Sequence, residues 1–352
     1  MNRVHEQLPF QSARESLRRQ HGVTLVELMV ALALGLLITV AMLKVYVDAS
    51  RMYRFNEGLA RVQENGRFAL EFIRRDARVA GFWGCYSDAE LNNGISTGSD
   101  AYINVDAGHI DGTDDDSGDS ITFRSATGSG ALVTADMSEA GDNVTVDSAS
   151  NLKIDMAVLI SDCDNGDIFQ VTGISGTSLL AHAAGTSSND SANLSKAYAS
   201  GSRVYQARQS TFCIAPGADP SQPALRRLIN PADGEICGKP KESPAGDELI
   251  EGVENMQVLY GEDTDETADN TANRYVPWSD NAEELNPDRI VSVRLSLLVR
   301  SINDNLTTDL SPYTFPSWVN PPTLTTPTDR HLRKVFTTTI TLRNKALRNK
   351  AG

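Results

Sequence analysis

The sequence predicts an α+β fold, in which one long N-terminal helix packs on an antiparallel β-sheet that carries a β-rich insertion. Three observations support this prediction. Residues 23–43 form an almost unbroken apolar run, residues 59–80 repeat apolar side chains at helical spacing, and three later segments alternate with the period of a strand. A chain of 352 residues with 40% hydrophobic side chains is large enough for one big domain or two modest ones.

The apolar run has the length of a membrane-spanning helix. Its 21 residues contain only three polar side chains, those of Thr24, Glu27 and Thr39. At 1.5 Å per residue the helix would span about 30 Å, the thickness of a hydrocarbon core. Basic residues precede the run, so residues 1–22 are expected in the cytoplasm and the chain beyond Lys44 across the membrane. A cleaved signal peptide would be shorter, whereas a plain signal anchor fits the hydropathy equally well.

Glu27 is the unusual residue of this run. A charged acid near the centre of a membrane helix costs about 2.5–3.5 kcal/mol, and such a group calls for a partner. No positive side chain lies within a turn of Glu27. Cleavage after Gly22 would create an α-amino group at Val23 that is positive near pH 7. That amine is suited to pairing with Glu27 within one chain or from a neighbouring helix.

The segment "GVTLVELMVAL" resembles the class III leader and mature N-terminus of type IV pilins and their relatives. The resemblance implies that a prepilin peptidase cuts between Gly22 and Val23, that the Val23 amine is methylated, and that Glu27 docks the subunit into a filament. Val23 departs from the family, in which phenylalanine is commonest at this position. No proline occurs between Phe10 and Pro216, so the helix kink common in major pilins is not encoded.

The helical pattern continues beyond the membrane segment. The apolar residues recur at spacings of three and four on one face, with arginine and glutamate opposite them. They are Leu59, Val62, Gly66, Ala69, Ile73, Ala77 and Ala80. The helix should end near Gly81, which gives residues 23–44 as the transmembrane half and residues 45–81 as an amphipathic half packed on the domain.

The remaining sequence predicts β-structure. Residues 85–202 are rich in Gly, Ser, Asp, Asn and Thr and form the β-rich insertion, while residues 203–352 supply the C-terminal sheet. In that sheet, period-2 alternation predicts antiparallel strands with one buried and one solvated face. The expected strands are 120–126, 143–148, 156–162, 168–174, 204–214, 253–261, 289–301 and 334–344.

Four cysteines and five scattered histidines make zinc a poor interpretation, because no C-x-x-C pair occurs. An even number of cysteines in an exported chain suggests two disulfides, with three pairings open; four buried thiols are the alternative. We favour Cys213 with Cys237, which closes a proline-rich loop, and this leaves Cys85 with Cys163.

No motif for a nucleophile, a zinc protease or a phosphate-binding loop occurs, so neither an enzyme nor a cofactor is predicted. His109 and His182 lie in turn-rich sequence and are expected at the surface. Asp263, Asp265 and Asp269 are weak calcium candidates, because their loop lacks the mid-loop glycine and the final acidic ligand; a solvated acidic loop is favoured there and at 111–119. A net charge of −14 disfavours nucleic acid as a partner.

Several segments resemble the PilW family of type IV pilus minor pilins: "FALEFIRRDARVAGFWGC", "LISDCDNGDIFQVT", "LIEGVENMQVLYGEDTDETADNTANRYV", "VSVRLSLLVRS" and "RKVFTTTITLRN". The resemblance implies a structural subunit that primes pilus assembly from the inner membrane and stays at the pilus tip. Its partners would be other minor pilins, the assembly platform and the prepilin peptidase. The alternatives are a J-type pseudopilin of type II secretion, which is shorter, and a membrane-anchored periplasmic hydrolase or binding protein, whose N-terminus would stay uncut.

Overall fold

A computed structural model describes residues 22–85, 91–105, 108–231, 246–319 and 321–344. The chain divides into two compact units, Met1–Tyr53 and Arg54–Gly352. The first helix, α1 (Leu25–Val79), contributes residues to both units.

In the first unit, α1 carries a stretch from Leu28 to Leu43 that is apolar on nearly every face. The segment is long and apolar enough to cross a membrane, and none of its most apolar stretch is buried within the structure. Thr39, a polar residue in this stretch, donates its hydroxyl hydrogen to the Gly35 carbonyl at 2.8 Å. This bond satisfies the hydroxyl inside the helix, which suits the segment to hydrocarbon.

In the second unit, α1 buries the face that its sequence spacing predicts. Val62, Ala69 and Ile73 lie in the main hydrophobic core, whereas Leu59 stays half-exposed. The helix ends at Val79, two residues before the expected position. Gly81 follows with a φ of 75°, and its N–H donates to the Arg124 carbonyl at 2.9 Å instead of continuing the helix.

Within the described residues, seventeen strands follow the helix, and a short 3₁₀ turn (Pro287–Arg289) precedes the fourteenth of them. In chain order the strands are β1 (Asn92–Asn93), β2 (Ile110–Thr113), β3 (Ser120–Leu132), β4 (Val144–Thr145), β5 (Ala157–Ser161), β6 (Gly166–Gln170), β7 (Gly173–Ser175), β8 (Leu179–Ala181), β9 (Arg203–Pro216), β10 (Pro223–Ile229), β11 (Asp247–Glu251), β12 (Val253–Glu262), β13 (Arg274–Val276), β14 (Ile290–Arg300), β15 (Tyr313–Thr314), β16 (Leu324–Thr325) and β17 (Arg333–Thr341).

The largest sheet has eight strands, and these come from both sides of the predicted boundary at 202/203. Its order is β1-β6-β5-β9-β10-β11, and β3 joins it through β9 and carries β2. Because β9 pairs with β3 and β5 of the insertion and also with β10, the boundary falls inside one sheet. The segment expected to be a proline-rich loop contains β10. Its prolines are compatible with a strand, because Pro216 and Pro223 face each other at the strand ends, where proline is tolerated.

The second sheet has four strands in the order β13-β12-β14-β17 and is antiparallel throughout, as predicted. Its apolar side chains pack on α1, and the predicted inward row of β12, Met256, Val258 and Tyr260, is buried. The expectation of a solvated second face is wrong for β14, because Ser292 and Ser296 are buried too. Ser292 shares a hydrogen bond with Tyr275 of β13, and Ser296 shares one with Thr337 of β17.

Two glycines let the rest of the unit approach α1 closely. A Cβ on Gly66 would lie 2.3–2.5 Å from three ring carbons of Phe336, and one on Gly58 would lie 2.3 Å from Leu306 Cδ1. Phe336 belongs to β17, so Gly66 is the point at which the edge of the four-stranded sheet meets the helix.

The insertion has hydrophobic clusters of its own, and both histidines expected at the surface are buried. The three-stranded sheet β4-β8-β7 contributes Val144 and Leu180 to one of these clusters. His182 packs on Phe169, and its Nε2 lies 2.8 Å from the Asp142 carbonyl oxygen. His109 is also buried. Turn-rich sequence therefore does not imply exposure here, because the strands beside each turn are packed.

Candidate functional site

The N-terminal end of α1 is closed by a reciprocal pair of hydrogen bonds between Thr24 and Glu27. The Glu27 carboxylate oxygen Oε2 accepts from the Thr24 N–H and from the Thr24 hydroxyl, each at 2.9 Å. The Glu27 N–H donates to the Thr24 Oγ1 at 3.2 Å. This is a capping box, in which a Thr and a Glu three residues later satisfy each other's groups at the start of a helix.

The capping box was missed by the sequence reasoning, although "TLVE" before an apolar run is its signal. Both bonds accepted by the carboxylate use Oε2, and no other described residue donates to Oε1. One oxygen of Glu27 is therefore engaged locally, and the other is available to a second donor.

Gly22 and Val23, the residues of the predicted cleavage, lie before the first turn of α1. Both are exposed, and residues 22–24 are not helical. Nothing lies within 4 Å of where a Gly22 side chain would begin. The peptide bond between them thus stands outside hydrogen-bonded structure. Arg14, Arg18 and Arg19 of the basic leader fall outside the described residues.

Cys85 and Cys163 form a disulfide, with their Cα atoms 4.7 Å apart and a separation of 78 positions along the chain. The bond joins the segment after α1 to the turn between β5 and β6. Cys213 is disulfide-bonded as well. Its predicted partner, Cys237, lies outside the described residues, so the pairing of Cys213 with Cys237 stays a prediction.

The three weak calcium candidates come together in the loop after β12. Carboxylate oxygens of Asp263, Asp265 and Asp269 lie within 4.8 Å of one another. The buried Asp263 accepts the N–H groups of Asp265 at 3.2 Å and Asn270 at 2.8 Å. Asn273 donates to Asp265 Oδ2 at 3.2 Å. The loop is thus held by hydrogen bonds of its own, which are sufficient to explain why the three acids are close.

The acidic segment 111–119 is only partly solvated, which corrects the expectation for its last residue. Asp114, Asp115 and Asp116 are exposed, whereas Asp119 is buried. Asp119 Oδ2 accepts the Val258 N–H at 2.6 Å, and Oδ1 accepts the Asp115 N–H at 2.9 Å. Burial raises the pKa of Asp119 to about 6, and the two N–H donors oppose that shift. Asp119 thereby joins the loop between β2 and β3 to β12.

A charge cluster centred on the enclosed side chain of Arg333 was also missed, because Glu254 lies far from Asp329 and Arg333 in sequence. Arg333 donates to Glu254 through Nε at 2.6 Å and through Nη2 at 2.9 Å, and to Asp329 through Nη1 at 2.5 Å. These hydrogen bonds hold the pKa of Asp329 well below its usual range. The cluster fastens the start of β17 to β12. Asp304 and His331 have ligating atoms close to Asp329, whose carboxylate is already bound to Arg333.

Comparison with known proteins gives two matches to family models. Residues 17–43 match the prokaryotic N-terminal methylation motif, and residues 211–344 match PilW, described as type IV pilus-assembly protein W. No curated protein matches the chain. Among solved structures it is similar to the type IV-like pilin TTHA1219 from Thermus thermophilus, at 13% identity and a TM-score of 0.36, over 81% of this chain and 98% of that one.

An N-terminal methylation motif on an exposed apolar helix, followed by an antiparallel sheet, defines a type IV pilin-like protein. Such proteins are structural subunits rather than enzymes. The match to PilW covers residues 211–344, from within β9 to just past the end of β17, and over this part the chain is similar to a type IV pilus-assembly protein.

Proposed function

We propose that this chain is a minor pilin inserted in the inner membrane. It is cut between Gly22 and Val23 and methylated at Val23. It is then built into a type IV pilus at the start of assembly, at or near the tip. The observation that supports this most is the methylation motif on the N-terminal part of α1, residues 25–43, whose apolar side chains are all exposed. Residues 1–22 would lie in the cytoplasm, and the domain beyond Lys44 in the periplasm.

The exposed, non-helical backbone at Gly22 supports cleavage at that position. A peptidase needs an extended segment, and the chain before Leu25 offers one, since α1 begins after Thr24. Cleavage would leave the Thr24 N–H and hydroxyl in the mature chain. The capping box would therefore persist while the new amine appears at Val23.

The two carboxylate oxygens of Glu27 differ in their hydrogen bonds, and this difference supports a docking role for Glu27. Oε2 caps the helix and Oε1 has no donor among the described residues. In hydrocarbon a carboxylate needs a positive partner. We propose that Oε1 accepts from the Val23 amine of an adjacent subunit, while apolar contacts along α1 hold the two helices together.

The proposed partners are other minor pilins and the assembly platform, with the prepilin peptidase as the processing enzyme. A J-type pseudopilin of type II secretion shares the N-terminal motif, and the match to PilW over residues 211–344 favours the pilus. A membrane-anchored hydrolase or binding protein would keep its leader.

Mass spectrometry of the protein extracted from membranes tests the processing. The expected species begins at N-methylated Val23, and an intact Met1 terminus would contradict the proposal.

A matched pair of variants then separates capping from docking at Glu27. Glu27→Gln keeps an oxygen that can cap the helix but removes the charge, because Gln also serves in a capping box. Thr24→Val removes the hydroxyl and keeps the charge. We expect Glu27→Gln to be cleaved yet absent from sheared pili, and Thr24→Val to be incorporated. Normal incorporation of Glu27→Gln would show that the charge does not dock the subunit.

A further inference from the structure

Strand β17 forms one end of the four-stranded sheet, and no described strand pairs with its outer edge. Two hydrogen bonds at the ends of the β14–β17 pair show which residues of β17 bond to β14 and which point outward. Leu342 N–H donates to the Val291 carbonyl, and Ser301 N–H donates to the Leu332 carbonyl. In an antiparallel pair, bonded and non-bonded positions alternate. The even-numbered residues of β17 therefore bond to β14, and the N–H and C=O groups of residues 335, 337, 339 and 341 point outward.

From Val335 to Leu342 this edge lacks the features that keep natural sheet edges from pairing, whereas Arg333 and Lys334 at its start are charged. Nine residues pair with β14 in continuous register, without a bulge. Residues 335–342 contain no charge, proline or glycine. Lys, Pro, bulges and short length are the usual protections of an edge. The other edges have them: β1, β2 and β13 are at most four residues long, and β11 has three acidic side chains among five residues.

An uncharged surface borders the same strand. No charged residue occurs between Asp309 and Asp329. Ser317 in this segment shares a hydrogen bond with Thr337 of β17 at 2.7 Å. Leu310 is 44% exposed and Leu324 is 65% exposed. Protein interfaces are depleted of charge at their centres, so this composition suits a covered surface.

We propose that the outer edge of β17 accepts an extended strand from another protein, which lengthens the four-stranded sheet by one. Only a peptide backbone supplies N–H and C=O groups at the repeat that this edge presents, which excludes a lipid or a glycan. The fitting segment is uncharged and rich in β-branched residues where it faces residues 335–341, and its one charge is a carboxylate opposite the exposed Lys334. The inference does not depend on the proposed pilus role.

Photo-crosslinking in the native host tests the strand pairing with the full chain. A benzophenone amino acid is placed in turn at Thr337, Thr339 and Thr341, whose backbone groups face the open edge. Pairing predicts crosslinks to one partner protein. When the probe is moved by two residues along β17, the crosslinked partner residue should also shift by two. Crosslinks in no order, no crosslinks, or crosslinks only between two copies of this chain would overturn the proposal.

A variant pair then tests the backbone groups themselves. Thr339→Pro removes one outward N–H without removing a donor to β14. Thr339→Val changes the side chain and keeps the N–H. Crosslinking from Thr337 and Thr341 should fall about tenfold in Thr339→Pro, as expected for loss of about one backbone hydrogen bond together with the ring clash, and should persist in Thr339→Val. Equal yields from two folded variants would overturn the proposal. Thr339→Lys, an edge-blocking charge, replaces Thr339→Pro should that variant fail to fold.

Discussion

Replacing Gly66 with alanine should destabilise the second unit, Arg54–Gly352, although alanine is the better helix former. Gly66 has helical backbone, so the change gains about 1 kcal/mol of helix propensity. The new Cβ would lie 2.3–2.5 Å from three Phe336 ring carbons, closer than real Cβ atoms come. The ring must retreat from the core, and overpacking of this kind costs about 3 kcal/mol at the upper end of its range. The net loss is about 2 kcal/mol, or a fall in Tm of about 5 °C for a unit of this size.

Thermal unfolding of the full chain in detergent micelles measures the effect, with Gly58→Ala as the matched control. At Gly58 the new Cβ meets only the end of the flexible Leu306 side chain. The gain in helix propensity should therefore prevail, and Tm should stay or rise. Adding Phe336→Leu to Gly66→Ala should restore part of the lost stability, because the two sites are in contact. A Gly66→Ala protein at least as stable as the wild type would refute the close approach of β17 to α1.

Three further predictions concern charged groups. Arg333→Ala should cost about 1.5–3 kcal/mol by chemical denaturation, because it removes the charge-assisted hydrogen bonds to the half-buried carboxylates of Glu254 and Asp329 and leaves Glu254 only the more distant Arg300, and unchanged stability would contradict this. The raised pKa of Asp119 means that the folded state holds a proton that the unfolded chain releases, so its contribution to stability should fall by about 3 kcal/mol between pH 4 and pH 6.5; Asp119→Asn should lack this fall, and equal slopes would argue against it. Calcium titrated calorimetrically to millimolar concentration should give no binding heat at Asp263, whereas a saturable heat would establish an ion site.

The sequence predicted which side chains are buried wherever their spacing along a regular element decides it. The apolar face of α1 and the inward row of β12 were predicted, because a side chain on a regular element is buried or exposed according to its period. The second face of β14 was not, because Ser292 and Ser296 have the same period whether their hydroxyls meet water or Tyr275 and Thr337. Strand β10 was missed for a different reason. Its prolines suggested a loop, and their position at the strand ends becomes visible only through the pairing of β9 with β10.

At the candidate site, hydropathy singled out Glu27, since a carboxylate in an apolar run is costly in itself. Its local partner, Thr24, was within reach of a spacing rule, and only the geometry divides the two carboxylate oxygens between capping and an open position. The Arg333 cluster had no such signal. Glu254, Asp329 and Arg333 come from different elements, and nothing in their spacing connects them before the strands are paired.

The disulfide between Cys85 and Cys163 has a mechanical consequence for a chain under tension. The two cysteines lie 78 positions apart, and this stretch would extend about 270 Å when unravelled. With the disulfide intact, a pull applied between the end of α1 and strand β6 is transmitted through the covalent bond. Strands β1 to β5 then lie on a closed loop that this pull cannot unravel.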